Sequence, residues 1–338
     1  MKAPLIKGSS LFAAMVLAVA GVTACSSNSS TTNAAAGSGS NAQGPELTHV
    51  TVAGLEIPDA APLYLAQKDG FFKQQGLTVT IQTIPASSNT TPALLSHTLD
   101  FTTENYVGMY LQEQQTPALG LKVIADDLQA APNVFGIMVP KASKVTSPAE
   151  LAGKSIALAG LGNSIGTLAV AMMLRAYHVK DTDYTQVAVP FPNQPEALAK
   201  GEVQAAFSTE PFITVMELTG AKMLVDTMTG AMQDFPISCW ATTGYMLQHY
   251  PRTVAAFQRA IVKAQELAAS DPQAVRQILP TYITGLKPQI ANVMTLGTFN
   301  TTLSVTRLER VANVMEQLGW LPDSFPAASM LVPLPTGA

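Results

Sequence analysis

The alternation of short apolar runs with helical patterns is the feature that most constrains the fold, and it occurs twice along the chain. In the first series, HVTVAGL (49–55) and LTVTIQTI (77–84) have the pattern of strands, and APLYLAQKDGFF between them has that of a helix. The second series begins at SIALAG (155–160) and continues through TLAVAMMLRAYHV. Strands that alternate with helices are typical of parallel α/β units, so we predict an α/β protein with two lobes.

Beyond Met232 the pattern becomes almost entirely helical. The segment TVAAFQRAIVKAQELAAS places Val254, Phe257 and Ile261 on one apolar stripe, which has to be buried against another element. The sheet of the first lobe is the natural target. We therefore expect the C-terminal helices to pack on the first lobe.

The N-terminal segment has the features of an export signal. Lys2 and Lys7 precede the apolar run LFAAMVLAVAGVTA, which is shorter than the roughly 20 residues that a membrane span needs. The run ends in VTAC, which resembles the bacterial lipobox; an ordinary signal peptide with an incidental cysteine is the alternative. We predict a lipoprotein signal peptide over 1–24. The polar residues that follow predict a flexible tether over 25–46, held by lipidated Cys25 on the outer face of the cytoplasmic membrane.

Charge and cysteine content exclude several functions. Without the two lysines of the signal peptide, 17 basic residues face 23 acidic residues, a net charge of −6. This acidic balance gives no support to nucleic-acid binding. With Cys25 lipidated, Cys239 has no partner, so we expect no disulfide. The four histidines are scattered outside any metal-binding motif, and we expect neither a metal nor a cofactor.

Residues 158–170, LAGLGNSIGTLAV, fit three different chemistries. The segment from Gly162 to Gly166 matches G-x-S-x-G, the nucleophile elbow of secreted esterases. The same glycines, with Gly160, form a loose dinucleotide-binding pattern. The third interpretation is a helix N-terminus that holds a ligand by its free backbone N–H groups, with Asn163, Ser164 and Thr167 as polar contacts.

Two of these interpretations need further residues elsewhere in the sequence, and those residues are missing or poorly placed. A hydrolase needs a histidine downstream of Ser164, and His178 ends the same helix, at about 1.5 Å per residue some 20 Å away. His249 is possible by chain order, but no HGGG-type segment precedes the serine. An exported serine hydrolase is therefore the alternative that we keep. A dinucleotide site lacks the acidic residue that should follow the next strand, TQVAVP.

Several stretches carry a resemblance to a known family. They are GLEIPDAAPLYLAQKDGFFKQQGLTV, SPAELAGKSIALAGLGNSIGTLAV, ALAKGEVQAAFSTEPF and, near the end, NVMEQLGWL. Taken together, the chain resembles ABC-transporter substrate-binding lipoproteins of the sulfonate, nitrate, taurine and thiamine-precursor branch. It departs from that family at Gln204, where Asp is usual, and this position looks structural. A related yeast-type pyrimidine synthase shares the fold, but its histidine and cysteine-rich motifs do not occur here.

The resemblance implies a two-lobed type 2 periplasmic-binding-protein fold, in which each lobe is a doubly wound, mostly parallel sheet. Lobe 1 would comprise 47–132 and 240–338, and lobe 2 would comprise 133–239. The chain would cross near Pro132–Val139 and return near Asp234–Thr242, so that two strands form a hinge. The expected activity is capture of a small organic molecule by lobe closure, without bond chemistry, and delivery to an ABC permease with its ATPase. We expect a monomer.

Ligands of such sheets bind at the carboxyl ends of the strands, in the crevice between lobes. The candidate ligand-binding residues are Asp59, Tyr64, Ser87, Ser88, Asn89, Thr103, Glu104, Asn105, Gly162, Asn163, Ser164, Thr167, Glu210, Phe212 and Trp240. The candidate loops contain no Lys or Arg, whereas Asp59, Glu104 and Glu210 lie in them. A neutral or amine-bearing heterocycle, as in thiamine precursors, is therefore favoured over a bare anion, although backbone donors alone can bind a sulfonate-like group.

Overall fold

The computed structural model describes residues 44–84, 90–162 and 164–335. The predicted signal peptide, most of the predicted tether and the lipidation site Cys25 lie outside these residues. So do four candidate ligand-binding residues, namely Ser87, Ser88, Asn89 and Asn163. None of the helices in the described ranges combines the length and apolarity that a membrane span requires.

Strands and helices alternate along the described chain as the sequence predicts. The strands are β1 (His49–Gly54), β2 (Thr78–Thr83), β3 (Phe101–Asn105), β4 (Lys122–Asp126), β5 (Leu128–Gln129), β6 (Phe135–Pro140), β7 (Ser155–Leu158), β8 (Thr185–Ala188), β9 (Ala205–Thr209), β10 (Ala221–Asp226), β11 (Ser238–Thr242) and β12 (Thr298–Phe299). The helices are α1 (Ala61–Lys68), α2 (Phe71–Gln74), α3 (Thr91–Leu95), α4 (Tyr106–Gln115), α5 (Ile165–Ala176), α6 (Gln194–Lys200), α7 (Phe212–Leu218), α8 (Gly244–His249), α9 (Pro251–Ser270), α10 (Pro272–Ile278), α11 (Pro288–Val293) and α12 (Val305–Gln317).

Ten of the strands form two five-stranded sheets, and β5 and β12 form a separate antiparallel pair. The first sheet has the order β2-β1-β3-β11-β4, and the second has the order β10-β6-β9-β7-β8. In each sheet one strand runs antiparallel to its neighbours, β11 in the first and β6 in the second. The other pairings are parallel, so the prediction of mostly parallel α/β sheets is confirmed.

The two antiparallel strands are those by which the chain passes from one sheet to the other. The chain leaves the first sheet after β4, runs through the short strand β5 and enters the second sheet with β6; it returns after β10 through β11. Such a strand arrives without the helical crossover that parallel pairing needs, and it can therefore run against its neighbours. The passages, 130–134 and 227–237, overlap the segments that the sequence suggests as a hinge.

Helix α9 covers the first sheet, as the apolar stripe predicts. Phe257 is fully buried, and its ring stacks on that of Phe101 in β3 with centroids 4.0 Å apart. Val254 and Ile261 are buried on the same face of the helix. The helix also packs against α1, α2 and β4. The first sheet is thus buried on this side by C-terminal residues, which confirms the expected placement of these helices.

Gln204, where the family usually carries Asp, has a structural role. Its side-chain Oε1 accepts hydrogen bonds from the backbone N–H of Ser155 at 2.8 Å and from the Ser155 hydroxyl at 2.9 Å. These bonds join the start of β7 to the residue before β9. The departure from the family pattern therefore leaves this pair of strands held together.

Candidate ligand-binding site

A cavity of about 70 Å³ lies between the two sheets, with walls from both. Its polar lining residues are Asp59, Thr103, Glu104, Asn105, Ser164 and Ser238. Its remaining lining residues are Leu55, Ile57, Phe135, Ala159, Gly160, Ile165, Gly166, Phe191, Phe207 and Ile237. Most of these residues belong to β3 or to segments that directly follow β1, β7 and β8, so the cavity lies at the carboxyl ends of strands, where ligands of such sheets bind.

The first-sheet wall carries Asp59, in a 3₁₀ turn at Pro58–Ala60 that follows β1. The side chain is buried, and its Oδ2 accepts a hydrogen bond from the Ser238 hydroxyl at 2.8 Å. Its Oδ1 has no hydrogen-bond partner among the residues that the structure describes. Burial raises the pKa of Asp59 to about 6, against the bond from Ser238, which lowers it.

Ser238 connects Asp59 to a second buried carboxyl. The Ser238 Oγ lies 2.9 Å from Asp127 Oδ2, and the hydroxyl of Thr103 reaches the same oxygen at 3.3 Å. The other oxygen of Asp127 accepts from Gln265 Nε2 at 3.1 Å. Burial, followed by the charge of Asp59, raises the pKa of Asp127 well above its usual value. Two carboxyl groups therefore share one serine hydroxyl behind the cavity wall.

A third carboxyl, Asp126, is neutralised by an ion pair away from the cavity. Its Oδ2 accepts from Arg307 Nε of α12, and its Oδ1 accepts from the Tyr106 hydroxyl at 2.8 Å. Burial raises the pKa of Asp126, while Arg307 opposes this rise. The guanidinium is thus committed to Asp126, and Lys and Arg are absent from the cavity lining formed by the described residues.

The other acidic and amide groups of this wall are held by their neighbours. Glu104, at the end of β3, accepts a hydrogen bond from the Thr90 hydroxyl. Asn105 follows directly and begins α4, because its side-chain oxygen accepts from the backbone N–H of Gly108 at 2.7 Å. The first-sheet wall as a whole is acidic and rich in hydrogen-bond acceptors.

The wall from the second sheet is largely apolar. The rings of Phe135 in β6 and Phe207 in β9 lie nearly parallel with centroids 6.1 Å apart. Gly166 in α5 packs so closely that an added Cβ would lie 2.8 Å from Cδ1 of Phe207. Only glycine at 166 therefore leaves the Phe207 ring in place. This wall offers flat aromatic surface to a ligand.

Ser164 is the N-cap of α5. Its Oγ accepts from the backbone N–H of Thr167 at 3.1 Å and lies 3.2 Å from the carbonyl oxygen of Gly160, to which it donates. The Thr167 hydroxyl also lies 3.0 Å from this Oγ, so the neighbours of the Ser164 hydroxyl are the Gly160 carbonyl and Thr167. His178 lies beyond the end of α5, and the ring of His249 packs at a tilt against Tyr245, with centroids 4.4 Å apart. The hydrolase interpretation, which needs a histidine at the Ser164 hydroxyl, is not favoured.

Replacing Ser164 by alanine is expected to lower the free energy of unfolding by about 1 kcal/mol, because the helix loses its N-cap. Ser164→Asp is the matched control, since its carboxylate can accept the same N–H bond and should retain most of the stability. Urea denaturation of the three proteins measures the difference. A loss of ester hydrolysis in the alanine variant, with unchanged stability, would contradict this assignment and restore the catalytic serine.

The sequence-based candidates fall into three groups. Five of them line the cavity: Asp59, Thr103, Glu104, Asn105 and Ser164. Six lie outside its lining: Tyr64, Gly162, Thr167, Glu210, Phe212 and Trp240. The remaining four, Ser87, Ser88, Asn89 and Asn163, lie outside the described residues.

The three aromatic candidates pack against protein. Trp240 of β11 is fully buried against Phe257, with ring centroids 6.1 Å apart. Tyr64 stacks on Tyr282 at 4.0 Å, and the Tyr282 hydroxyl donates to the Ile57 carbonyl at 2.9 Å, which fixes the turn that carries Asp59. In an adjoining groove, Phe212 lies against Phe191, the ring that also lines the cavity.

The remaining three candidates outside the lining have local roles. Glu210 accepts hydrogen bonds from the backbone and hydroxyl of Thr214, at 3.1 and 2.9 Å, and from the Thr295 N–H at 3.1 Å. It therefore ties α7 to the segment that follows α11. Gly162 has φ of 79°, a conformation that glycine adopts without strain, in the turn before α5. Thr167 gives its N–H to Ser164.

Sequence reasoning missed Ser238 and Asp127. The pair DD at 126–127 stood in a predicted strand region, LKVIADDL, and Ser238 stood two residues before the candidate Trp240. The acidic doublet in an apolar context was an available signal, because buried carboxyls are rare unless they are paired. The contact between Ser238 and Asp127 depends on the register of β11 against β3 and β4. In that register Ser238 pairs with Asn105, and Cys239 pairs with Asp126.

Comparison with known proteins gives matches over most of the chain. Among curated proteins, the 4-amino-5-hydroxymethyl-2-methylpyrimidine phosphate synthase THI13 of Saccharomyces cerevisiae is 25% identical over 252 residues. The match covers 70% of this chain and 69% of the yeast protein.

Solved structures of binding proteins have a similar fold. The alkanesulfonate-binding protein SsuA of Xanthomonas axonopodis pv. citri, bound to MOPS, superposes with a TM-score of 0.70 at 18% identity, over 85% of this chain and 99% of that one. The periplasmic nitrate-binding protein NrtA of Synechocystis PCC 6803 gives 0.69 at 16% identity, over 85% and 86%. The fold is that of periplasmic binding proteins.

The family model described as NMT1/THI5 like matches residues 57–275, from the turn that carries Asp59 to the middle of α10. The matched range includes the lining residues of the cavity except Leu55, and both passages between the sheets. Together with the fold and with the THI13 relative, this match agrees with the thiamine-precursor branch of the resemblance described above. The chain belongs to the NMT1/THI5-like family.

Proposed function

We propose that this protein is the extracytoplasmic solute-binding component of an ABC importer. The observation that carries the proposal is the cavity between the two sheets, whose walls come from both and differ in character. Acidic and acceptor groups come from the first sheet, and aromatic rings come from the second. A ligand in this cavity would touch both sheets at once, which favours the closed arrangement over an open one.

Closure would take place between lobe 1, 47–132 with 240–338, and lobe 2, 133–239. The strands β6 and β11, next to the two passages of the chain, would form the hinge. Because the sheets are joined by two short passages rather than by one long linker, rotation about them would open the cavity without separating the lobes. The likeness in fold to SsuA and NrtA, both binding proteins by name, supports this mechanism.

The remaining parts of the proposal concern the site of action. The protein would be exported by its signal peptide and anchored through lipidated Cys25 to the outer face of the cytoplasmic membrane. Its tether would let a monomeric binding domain reach the permease, and the permease with its ATPase would take the ligand from the closed form. Release of the ligand needs opening of the lobes and no bond chemistry in this protein.

The lining of the cavity favours a neutral or amine-bearing ring as ligand. Asp59 and Glu104 lie on one wall, Phe135 and Phe207 on the other, and no basic side chain lies among the lining residues described. An anion at the first wall would meet like charge and no cation. The relationship to THI13, whose name refers to an aminopyrimidine phosphate, supports a heterocycle of the thiamine-precursor kind.

Native mass spectrometry of the full chain purified from its own host would test the function. We expect a small molecule that stays bound under native conditions and is released on denaturation, with its chemical structure unchanged. Readdition of the released molecule should raise the melting temperature of the emptied protein. Chemical conversion of the molecule by the protein would contradict the proposal, and so would recovery of protein that binds no small molecule from host extract.

A further inference from the structure

We propose that Asp59 holds a cationic nitrogen of the ligand, and that a neutral Asp127 fixes the single negative charge at Asp59 through the Ser238 hydroxyl. The proposal rests on the solute-binding function and names the class of solute: a molecule with an amidinium, ammonium or protonated ring nitrogen. Three features support it: the number of protons that Ser238, Asp59 and Asp127 share, the unpartnered Oδ1 of Asp59, and the charges around these residues.

The hydrogen bonds at Ser238 fix the number of protons that it shares with Asp59 and Asp127. Ser238 Oγ lies 2.8 Å from Asp59 Oδ2 and 2.9 Å from Asp127 Oδ2, both hydrogen-bond distances. A hydroxyl has one proton and can donate to one carboxylate only. The second contact is a hydrogen bond only if the other carboxyl is protonated and donates to Ser238. The trio therefore carries one negative charge when both bonds are made.

The position of the charge follows from burial. Asp127 is fully buried and outside the cavity lining, close to the charge of Asp126. Asp59 lies in the cavity wall, where a ligand can reach it. The bond from Gln265 favours the charged form of Asp127, but its burial and the charge of Asp59 outweigh that bond, so Asp127 keeps the proton. The donors then run in one direction, from Asp127 to Ser238 and from Ser238 to Asp59. The raised pKa of each group, to about 6 for Asp59 and well above its usual value for Asp127, agrees with this order.

The second observation is the free oxygen of Asp59. The residue is 4% exposed and its Oδ1 has no partner among the described residues, although it belongs to a side chain of the cavity wall. A buried carboxylate oxygen without a donor is costly, and a donor supplied by the ligand would remove that cost. The ionised Asp59 can therefore accept a hydrogen bond from a donor on the ligand, and it has no proton to give to an acceptor.

The surrounding charges decide between a cationic and a neutral donor. Glu104 lies on the same wall, and Glu56 lies just before the Asp59 turn. The phenols of Tyr64 and Tyr282 beside that turn are neutral at pH 7.5, and burial raises their pKa further. The nearby cation Arg307 pairs with Asp126. The wall keeps the negative charge of Asp59, and none of the described lining residues supplies a cation to offset it.

Two isosteric series test the charge of the ligand by isothermal titration calorimetry at pH 7.5. They are benzamidinium, benzamide and benzoate, and acetamidinium, acetamide and acetate. We expect the cation to bind at least tenfold more tightly than the neutral amide, and the carboxylate to bind most weakly. The inference would be overturned if, in a series that binds, the amide or the carboxylate bound as tightly as the amidinium or more tightly.

The pH dependence of cation binding has a defined sign. The cation needs Asp59 ionised, so the apparent affinity for benzamidinium should be constant above pH 7 and fall about tenfold per pH unit well below the Asp59 pKa of about 6. Affinity that stays constant down to pH 4.5 would contradict the role of Asp59.

A matched pair of variants separates the two carboxyls. Asp59→Asn should remove the preference for the cation and its pH dependence. Asp127→Asn should keep both, because its amide N–H can donate to Ser238 as the protonated acid does. Circular dichroism and melting curves confirm folding of each. Equal loss in both variants would show that Asp127 is ionised, and would overturn the relay. If a neutral or anionic molecule co-purifies from the host and binds independently of Asp59, the solute-binding function stands and this inference fails.

Discussion

Replacing Arg307 by methionine is expected to lower the free energy of unfolding by about 3–5 kcal/mol, because it leaves the carboxylate of Asp126 buried without its counter-charge. The Asp126 side chain has no exposed surface, and Arg307 also donates from Nη1 to Gln129 Oε1 at 2.6 Å. Methionine keeps the apolar stem of the side chain, so the loss reports on the charge rather than on packing. Urea denaturation at pH 7 measures it.

The surface pair Lys200–Glu196 supplies the control, since both side chains are more than half exposed. Lys200→Met should change stability by less than about 1 kcal/mol. The double variant Arg307→Met with Asp126→Asn should recover part of the loss, because the orphaned charge is gone. A cost of less than about 1 kcal/mol for Arg307→Met alone would mean that water reaches Asp126.

Stability is expected to fall as the pH rises from about 4 to about 7. Asp59 and Asp127 have raised pKa values in the folded protein, so over this range the folded state binds more protons than the unfolded chain. The stabilisation is complete below the unfolded pKa and is lost as the pH rises through the folded pKa. For Asp59, a pKa raised from 3.8 to about 6 corresponds to about 3 kcal/mol.

Comparison of wild type with Asp127→Asn isolates this contribution from the other titrating groups. The variant cannot ionise at 127, so its free energy of unfolding should decline less steeply as the pH rises. Its slope should be smaller than that of wild type by up to about 1.4 kcal/mol per pH unit. Glu150→Gln is the control: Glu150 is exposed and its pKa is lowered by hydrogen bonds from Thr146, so its loss should not flatten the decline. Parallel pH curves for wild type and Asp127→Asn would show that Asp127 is ionised in the folded state.

The order of strands and helices could be predicted because each element leaves a local pattern. The alternation of polar and apolar residues predicted the bounds of β1 and β2 to within two residues. The apolar stripe of α9 indicated the buried face of that helix, on which Phe257 lies. The position of Asp59 and Glu104 in the cavity wall also followed from sequence, since residues directly after parallel strands meet at one edge of a sheet.

What could not be predicted depends on where along a strand a residue lies. Ser238 and Trp240 are two residues apart in β11 and share one face, and all five residues of the strand are buried. Only Ser238, at the start of the strand, lines the cavity, whereas Trp240 packs on Phe257. Similarly, the contact of Ser238 with Asp127 joins residues 111 positions apart, and no local pattern reports such a distance.

The position of β11 between β3 and β4 makes the order of synthesis matter. β3 and β4 are separated by one helix along the chain, yet in the sheet they are joined only through a strand that ends at Thr242. Until that residue leaves the ribosome, β4 has no partner that joins it to the rest of the first sheet, whereas every strand of the second sheet has already been made. Since α9, which covers the first sheet, is made later still, we expect the second sheet to assemble first and the first sheet to form slowly through long-range contacts.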